Sequence, residues 1–353
     1  MRYLLIIFIV GLAFDSQAAE HSTWKDYIKA NRYNCPGPLD TLAEPRIFEA
    51  GGKKYSQSGY RVDIEGGDED SRIKIGILSA SKDLSDYTRK NLSETLAWFK
   101  QEGAEWIVAN GDLAIDEFDF EELIEILAKT NLPTLIVLGN SDSQGSWARI
   151  YRSIFDKYPN LFDGTLVRQI VADDAEFWTV AGYHNKAFIH KTGACSYKTE
   201  DVDLIRRNLE PSQKAPVVLV SHGPPQGKGF HALDRIADKK NVGDPDLTKL
   251  IEKRNIPFGI FGHILEAGGR GVGAKFKKKI RPNISSANLY LNAGSVSGDP
   301  WGMLDGSAPA AVACRPGLFA RALRLSLAMN SHPVLRSITG ASPPSAATWQ
   351  LPV

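Results

Sequence analysis

Four polar residues stand where short apolar runs end. Asp112 closes Asn110-Gly111-Asp112 after Trp106-Ile107-Val108-Ala109, and Asn140 lies in Gly139-Asn140-Ser141-Asp142 after Thr134-Leu135-Ile136-Val137-Leu138. His222 lies in Ser221-His222-Gly223-Pro224-Pro225 after Val217-Val218-Leu219-Val220, and His263 follows Gly262 after Phe258-Gly259-Ile260-Phe261. One carboxylate, one amide oxygen and two imidazoles suit a divalent transition metal such as Mn²⁺, Fe²⁺ or Zn²⁺. Singly, each has an ordinary reading: a strand-end Asp caps helices, an Asn after Gly turns the chain, and a lone His sits at the surface or in a satisfied core. All four after apolar runs point instead to one shared rim, because ligands of open α/β sheets bind at the carboxyl ends of strands. A glycine directly before three of them gives the backbone room to turn.

The elements that must position these residues alternate. Lys74–Leu78 reads as a buried strand, Asp86–Glu102 as a helix with Leu92, Leu96, Trp98 and Phe99 at helical spacing, and Phe118–Lys129 as a second amphipathic helix. A further helix over Leu247–Arg254 separates the runs that end at His222 and His263, and Asn288–Leu291 is the last strand. The alternation predicts an α/β protein with parallel pairing. Leu166–Lys198 reads as more antiparallel. Residues 19–70, punctuated by Pro36-Gly37-Pro38 and Gly51-Gly52, read as an irregular N-terminal extension.

The two ends differ from the middle. Arg2, the 12-residue apolar run Tyr3–Phe14 and Ser16-Gln17-Ala18 have the outline of a secretory signal peptide over residues 1–18, too short to span a bilayer. The chain is therefore expected to be exported, to the periplasm or the exterior, with no stable membrane span after cleavage. From Ser307 to Val353 there is no Asp, Glu or Lys, and four arginines are the only permanent charges, the composition of a disordered tail over 307–353 or of a segment foreign to the domain. Three cysteines, Cys35, Cys195 and Cys314, allow one disulfide in an oxidising compartment, and Cys35 with Cys195 is one of the pairings open.

Over the 353 residues, 42 basic side chains nearly cancel 41 acidic ones. That balance offers no bulk field for nucleic acid or a membrane surface, so any anion must be recognised by a local site. Gly268–Gly273 lacks the Lys-Ser/Thr ending of a P-loop, and Ser221 is in no Gly-x-Ser-x-Gly elbow. The run Lys275–Lys279 reads as a solvated face. His231 and Asp234 are candidates for a pocket mouth.

The ordered series Gly111-Asp112, Gly139-Asn140-Ser141-Asp142, His222 with Pro224-Pro225, Gly262-His263-Ile264-Leu265-Glu266-Ala267 and Asn292-Ala293-Gly294-Ser295 resembles the calcineurin-like metallophosphoesterases, over roughly Ile73 to Ser297. The resemblance implies a four-layer sandwich of two mixed β-sheets flanked by helices, spanning 71–300. It also implies hydrolysis of a phosphate mono- or diester by metal-activated water. Asp112, Asn140, His222 and His263 then take the metal-ligand positions, Asn140 also meeting the phosphate. Three ligands private to the family's other metal are missing: Ala80 and Lys82 stand where an Asp and a His are usual, and Leu265 where the last His of Gly-His-x-His is usual. The expectation is a reduced site with one divalent ion, acting on a small phosphoester. The alternative is an inactive scaffold that binds a phosphorylated ligand or a protein partner. Lys82 could supply a positive charge at the vacated place, beside Asp112 and the phosphate. A rival register makes Asp83 or Asp86 the missing ligand, although Asp86 is more simply a helix cap. Ser141 replaces a common His and cannot protonate a leaving alkoxide as His can, which favours substrates with good leaving groups. Lys82 and Ser141 are the weak candidates for a direct part in catalysis.

Overall fold

The computed structural model describes residues 19–299, apart from 69, 71 and 211–214, and the backbone of two later strands. The signal-peptide segment 1–18, Cys314 and most of 307–353 lie outside the described residues.

The chain begins with β1 (Glu20–His21), α1 (Trp24–Asn31) and β2 (Thr41–Leu42), where β1 and β2 pair in parallel. Three strands follow, β3 (Arg46–Ala50), β4 (Lys53–Ser58) and β5 (Arg61–Glu65), joined as an antiparallel meander. The alternating half then runs β6 (Arg72–Leu78), α2 (Asp86–Glu102), β7 (Trp106–Asn110), α3 (Glu117–Ala128), β8 (Thr134–Val137), α4 (Gln144–Ile154) and β9 (Leu161–Asp163). Next come β10 (Gln169–Val171), β11 (Glu176–Val180), α5 (Thr199–Asn208), β12 (Val217–Ser221), α6 (Pro245–Arg254) and β13 (Phe258–Phe261). The short strands β14 (Gly271–Val272) and β15 (Lys279–Ile280) precede β16 (Leu289–Asn292), and β17 (Arg321–Leu327) and β18 (Ser345–Gln350) close the order.

Two sheets result. A six-stranded sheet runs β18-β17-β6-β7-β8-β9, and a ten-stranded sheet runs β15-β14-β16-β13-β12-β11-β10-β5-β4-β3. The site-bearing strands are parallel to their neighbours within each sheet: β6 to β9 in one, and β11, β12, β13 and β16 in the other. Their carboxyl ends therefore lie at one edge of each sheet.

Alternation along the strands explains the layering. In β12, Val218 and Val220 join the core shared with β7, β8 and helices α2 to α4, whereas Val217 and Leu219 join a second core with α5 and α6. In β16, Leu289 and Leu291 face the first core and Tyr290 the second. Period-two burial on both faces is what a sheet between two layers requires. The order is helices, sheet, sheet, helices: the four-layer α/β sandwich expected. Trp106 of β7 links the sheets, its ring 5.5 Å from Phe177 of β11 and 5.1 Å from Phe162 of β9. Burial of each such aromatic stabilises by roughly 1.5–3 kcal/mol.

Two expectations about the ends need correction. Residues 19–70 are not irregular: they supply α1 and three strands of the ten-stranded sheet. The signal lay in polar-apolar alternation, with Tyr55 and Val62 fully buried between half-exposed neighbours, and in turns at Gly51-Gly52 and Gly59 that are hairpin chemistry. Tyr55 stands edge-on to Trp106 and Phe162 in the inter-sheet core, so this segment is part of the packed body. In the segment read as a disordered tail, β17 pairs antiparallel with β6 and β18 with β17. Their backbone covers what would otherwise be an open edge at β6. The middle segment is antiparallel at β10–β11, but β11 then pairs in parallel with β12.

Candidate metal centre

The loops after β7, β8, β12 and β13 bring Asp112, Asn140, His222 and His263 together. Asn140 Oδ1 lies 2.8 Å from His222 Nε2 and 2.9 Å from His263 Nδ1, and Asp112 Oδ1 lies 3.3 Å from His222 Nε2. Donor atoms at right angles around a cation with bonds of roughly 2.1 Å stand about 3.0 Å apart. The separations match that spacing.

Hydrogen bonds around the cluster fix which atoms face inward. The carbonyl of Asn110 can only accept, and it lies 3.0 Å from His222 Nδ1, so Nδ1 carries the proton and Nε2 presents a lone pair. Asn140 Nδ2 donates to the carbonyl of Phe188, which turns Oδ1 toward both imidazoles. Ser141 N donates to Asp112 Oδ1 at 3.1 Å. With His222 neutral, its Nε2 faces two oxygen acceptors with no proton between them. A buried array of lone pairs is unfavourable unless a cation sits among them. The donor set fits a divalent ion.

The backbone is shaped for this convergence. Ala80, Lys82, Asp112 and His263 all have positive φ, between 50° and 63°, a conformation that costs L-residues energy and clusters at functional sites. Gly111, at φ 77°, could carry no side chain: a Cβ there would lie 2.3 Å from His222 Nδ1. Asp142 is fully buried and accepts from the N–H groups of Asp112 at 2.8 Å, Gly139 at 2.7 Å, Leu113 at 2.7 Å and Ala114 at 3.3 Å. One carboxylate thus ties the Asp112 loop to the Asn140 loop. Asn292 does the same for His263, donating to the carbonyls of Gly262 at 3.2 Å and Ile264 at 2.9 Å.

Electrostatics follow from burial and proximity. Burial would raise the Asp112 carboxyl, but His222, His263 and Lys82, with the Ser141 N–H, outweigh it and hold Asp112 below its ordinary value. Lys82 is thus close enough to act on Asp112. Burial, then the neighbouring His222 imidazole, pushes His263 down to about 3. Burial, then the Asp112 charge, pushes Asp142 up to about 6, and its backbone donors oppose that rise.

The other sequence candidates fall as follows. Ala80 is fully buried and Leu265 nearly so, filling with apolar groups two positions where the resemblance has ligands. Asp83 accepts from Ser85 N at 2.9 Å and from Thr88 Oγ1 at 2.9 Å, a capping role, and it is outside the cluster of donor atoms. Asp86 is exposed in the first turn of α2, and Ser85 rather than Asp86 is its N-cap. Asp234 is fully buried and accepts from Asn241 and Gly243, so it organises its loop and does not line a mouth. The lysines of 275–279 are exposed.

Sequence reasoning gave no role to Asp142, Tyr183 or Phe188. Tyr183 packs its ring 4.1 Å from that of His263 and donates from its hydroxyl to the Val242 carbonyl. Phe188 stands edge-on to His263 at 6.1 Å. Asp142 was visible within Gly139-Asn140-Ser141-Asp142, but its four backbone partners lie on two loops. The segment of Tyr183 and Phe188 has no periodicity to read. It is held instead by the Cys35–Cys195 disulfide, with Cα atoms 5.2 Å apart.

Fold and site together define a two-sheet α/β protein with a candidate cation site of one carboxylate, one amide and two imidazoles at its strand ends. No protein-family model matches the chain, and no curated protein matches it. Among solved structures it is similar to TT1561 of Thermus thermophilus, at 15% identity and a TM-score of 0.45 over 65% of this chain and 92% of that one. It is also similar to a dimetal phosphatase from Danio rerio, at 12% and 0.43 over 72% and 94%. A third is a purple acid phosphatase from yellow lupin seeds, at 10% and 0.43 over 77% and 54%.

Proposed function

We propose that this protein is a metal-dependent phosphoesterase with a reduced site holding one divalent ion, Mn, Fe or Zn. Asp112, Asn140, His222 and His263 are its ligands, and a small phosphoester is its substrate. The observation that carries this reading is the convergence of His222 Nε2, Asn140 Oδ1 and Asp112 Oδ1 within 2.8–3.3 Å, with the Nδ1 proton of His222 committed to Asn110.

A bound divalent ion supplies Lewis acidity and lowers the pKa of water. The chain's own groups do the rest. Asp112 keeps its charge in a buried place because Lys82 and the two histidines surround it. Lys82 offers an ammonium beside Asp112, where a phosphoryl oxygen can meet it. The rings of Tyr183 and Phe188 against His263 keep water from that flank. Ser141 has no proton to give near neutral pH, so the substrate must carry a good leaving group. The disulfide supports export to an oxidising compartment.

Burial of Ala80 and Leu265 in place of ligands favours a second reading, a scaffold that binds a phosphorylated ligand or a partner without hydrolysing it. A chromogenic phosphodiester, assayed on chelator-stripped and metal-restored protein, separates the two. Metal-restored turnover that disappears in Asp112→Asn is the expected result. Metal binding with no turnover favours the scaffold, and turnover unchanged in Asp112→Asn refutes the ligand assignment.

A further inference from the structure

Beside the candidate ligands the loop 186–196 borders an open, solvent-facing cavity of about 440 Å³. Lys186, Ile189, His190, Lys191, Thr192 and Ser196 line it, and no carboxylate does. In a chain whose charges almost cancel, three basic side chains and two hydroxyls around one cavity are a local anion environment.

Three contacts tie the wall of the cavity to the loops that carry the candidate ligands. His190 N donates to the Asn140 carbonyl at 3.1 Å, so its wall begins one peptide from a proposed ligand. Ser196 is bridged to Tyr183, whose ring packs on His263. Lys191 donates to the carbonyl of Ile115, on the loop that follows Asp112. The loop is also braced. Cys195 is tied to Cys35, Ala194 bridges to Ser143, and Gln144 N donates to the Gly193 carbonyl at 3.0 Å. A braced wall loses little freedom when a ligand binds, so its charges are worth more than those of a floppy loop.

We propose, resting on the phosphoester reading above, that this cavity takes a second anionic group on the substrate. The substrates are then phosphoesters whose leaving group itself carries a carboxylate or phosphate, gripped by Lys186, His190 and Lys191. The metal site alone recognises any phosphoryl group, and the cavity selects among them.

The test compares two non-hydrolysable probes on the full metal-loaded chain by calorimetry: benzylphosphonate and 4-carboxybenzylphosphonate, which differ by one carboxylate. The carboxylated probe is expected to bind roughly three- to tenfold tighter, as two or three partly exposed cations allow. Lys186→Gln with Lys191→Gln should abolish that advantage while leaving benzylphosphonate affinity within about twofold. Lys186→Gln alone, at an exposed position, should remove part of the advantage and guards against a misfolded double variant. Equal affinities in the wild type, an advantage that survives the double variant, or no binding of either probe overturns the proposal. Turnover is measured separately with 4-carboxyphenyl phosphate. If turnover is absent while the affinity advantage stands, the hydrolytic reading falls and the second-anion cavity does not.

Discussion

Asp112 occupies a costly position, fully enclosed beside a second buried carboxylate, Asp142, yet its carboxyl is held below the usual range. Burial works against its charge, and His222, His263 and Lys82 work for it. Lys82→Met is therefore expected to raise the KM for a chromogenic phosphodiester by roughly three- to tenfold, since it removes a partly exposed cation beside the phosphoryl position. Metal affinity should fall less than it does in Asp112→Asn. An unchanged KM would mean that Lys82 is only a loop residue. His263 gives a prediction in pH. Its imidazole is pushed down to about 3, so between about pH 3 and 6.5 the unfolded chain binds a proton there that the metal-free folded chain refuses. This contribution to stability is present above the unfolded value and is lost as pH falls. Relative to wild type, metal-free His263→Asn should gain stability on acidification from pH 6.5 to 4.5, by up to about 1.4 kcal/mol per pH unit. Urea midpoints of both proteins across that range check it, and a difference independent of pH would contradict it. The four proposed ligands were legible as a group because each ends an apolar run. Asp142 had no such readable role, because its four donors are backbone groups on two loops brought together only by the fold.

At the scale of elements, the strands place the proposed ligands and one irregular loop packs over them. The segment from Tyr183 to Tyr197 supplies the Phe188 carbonyl that orients Asn140 and the ring that packs on His263. The disulfide from Cys195 to Cys35 fastens that loop to the N-terminal segment across 160 residues of sequence. Closing so long a loop restricts the unfolded chain, and losing the bond is expected to cost about 2–5 kcal/mol. Cys35→Ser should lower the urea midpoint accordingly, and should weaken metal affinity as Phe188 loosens. A midpoint unchanged between wild type and Cys35→Ser would remove the bond from this account. The site-bearing strands and the helices at Asp86–Glu102, Phe118–Lys129 and Leu247–Arg254 were legible from hydrophobic runs to within a residue or two, whereas α4, α5 and β9 were not read. Nor were the hairpins of residues 46–65. Their strands carry Lys, Ser and Arg on the outer face, and the inner face holds the polar Gln57 beside Tyr55 and Val62. Composition there resembles a loop until a neighbouring sheet edge is available.

For the whole molecule, two sheets pressed face to face bring four distant segments of chain to one rim. No single segment holds a cation, so the site exists only when both sheets are packed. Under the proposed one-ion reading, metal binding and folding are coupled: an ion bound by the native state alone stabilises by RT ln(1 + [M]/Kd), about 2.7 kcal/mol at a hundredfold excess over Kd. The direct measurement is elemental analysis of the purified full chain after reconstitution with Mn, Fe or Zn, beside Asp112→Asn and His222→Asn. One equivalent of divalent metal per chain, lost in both variants, is the predicted result. Two equivalents, or none, in the wild type would contradict the one-ion site.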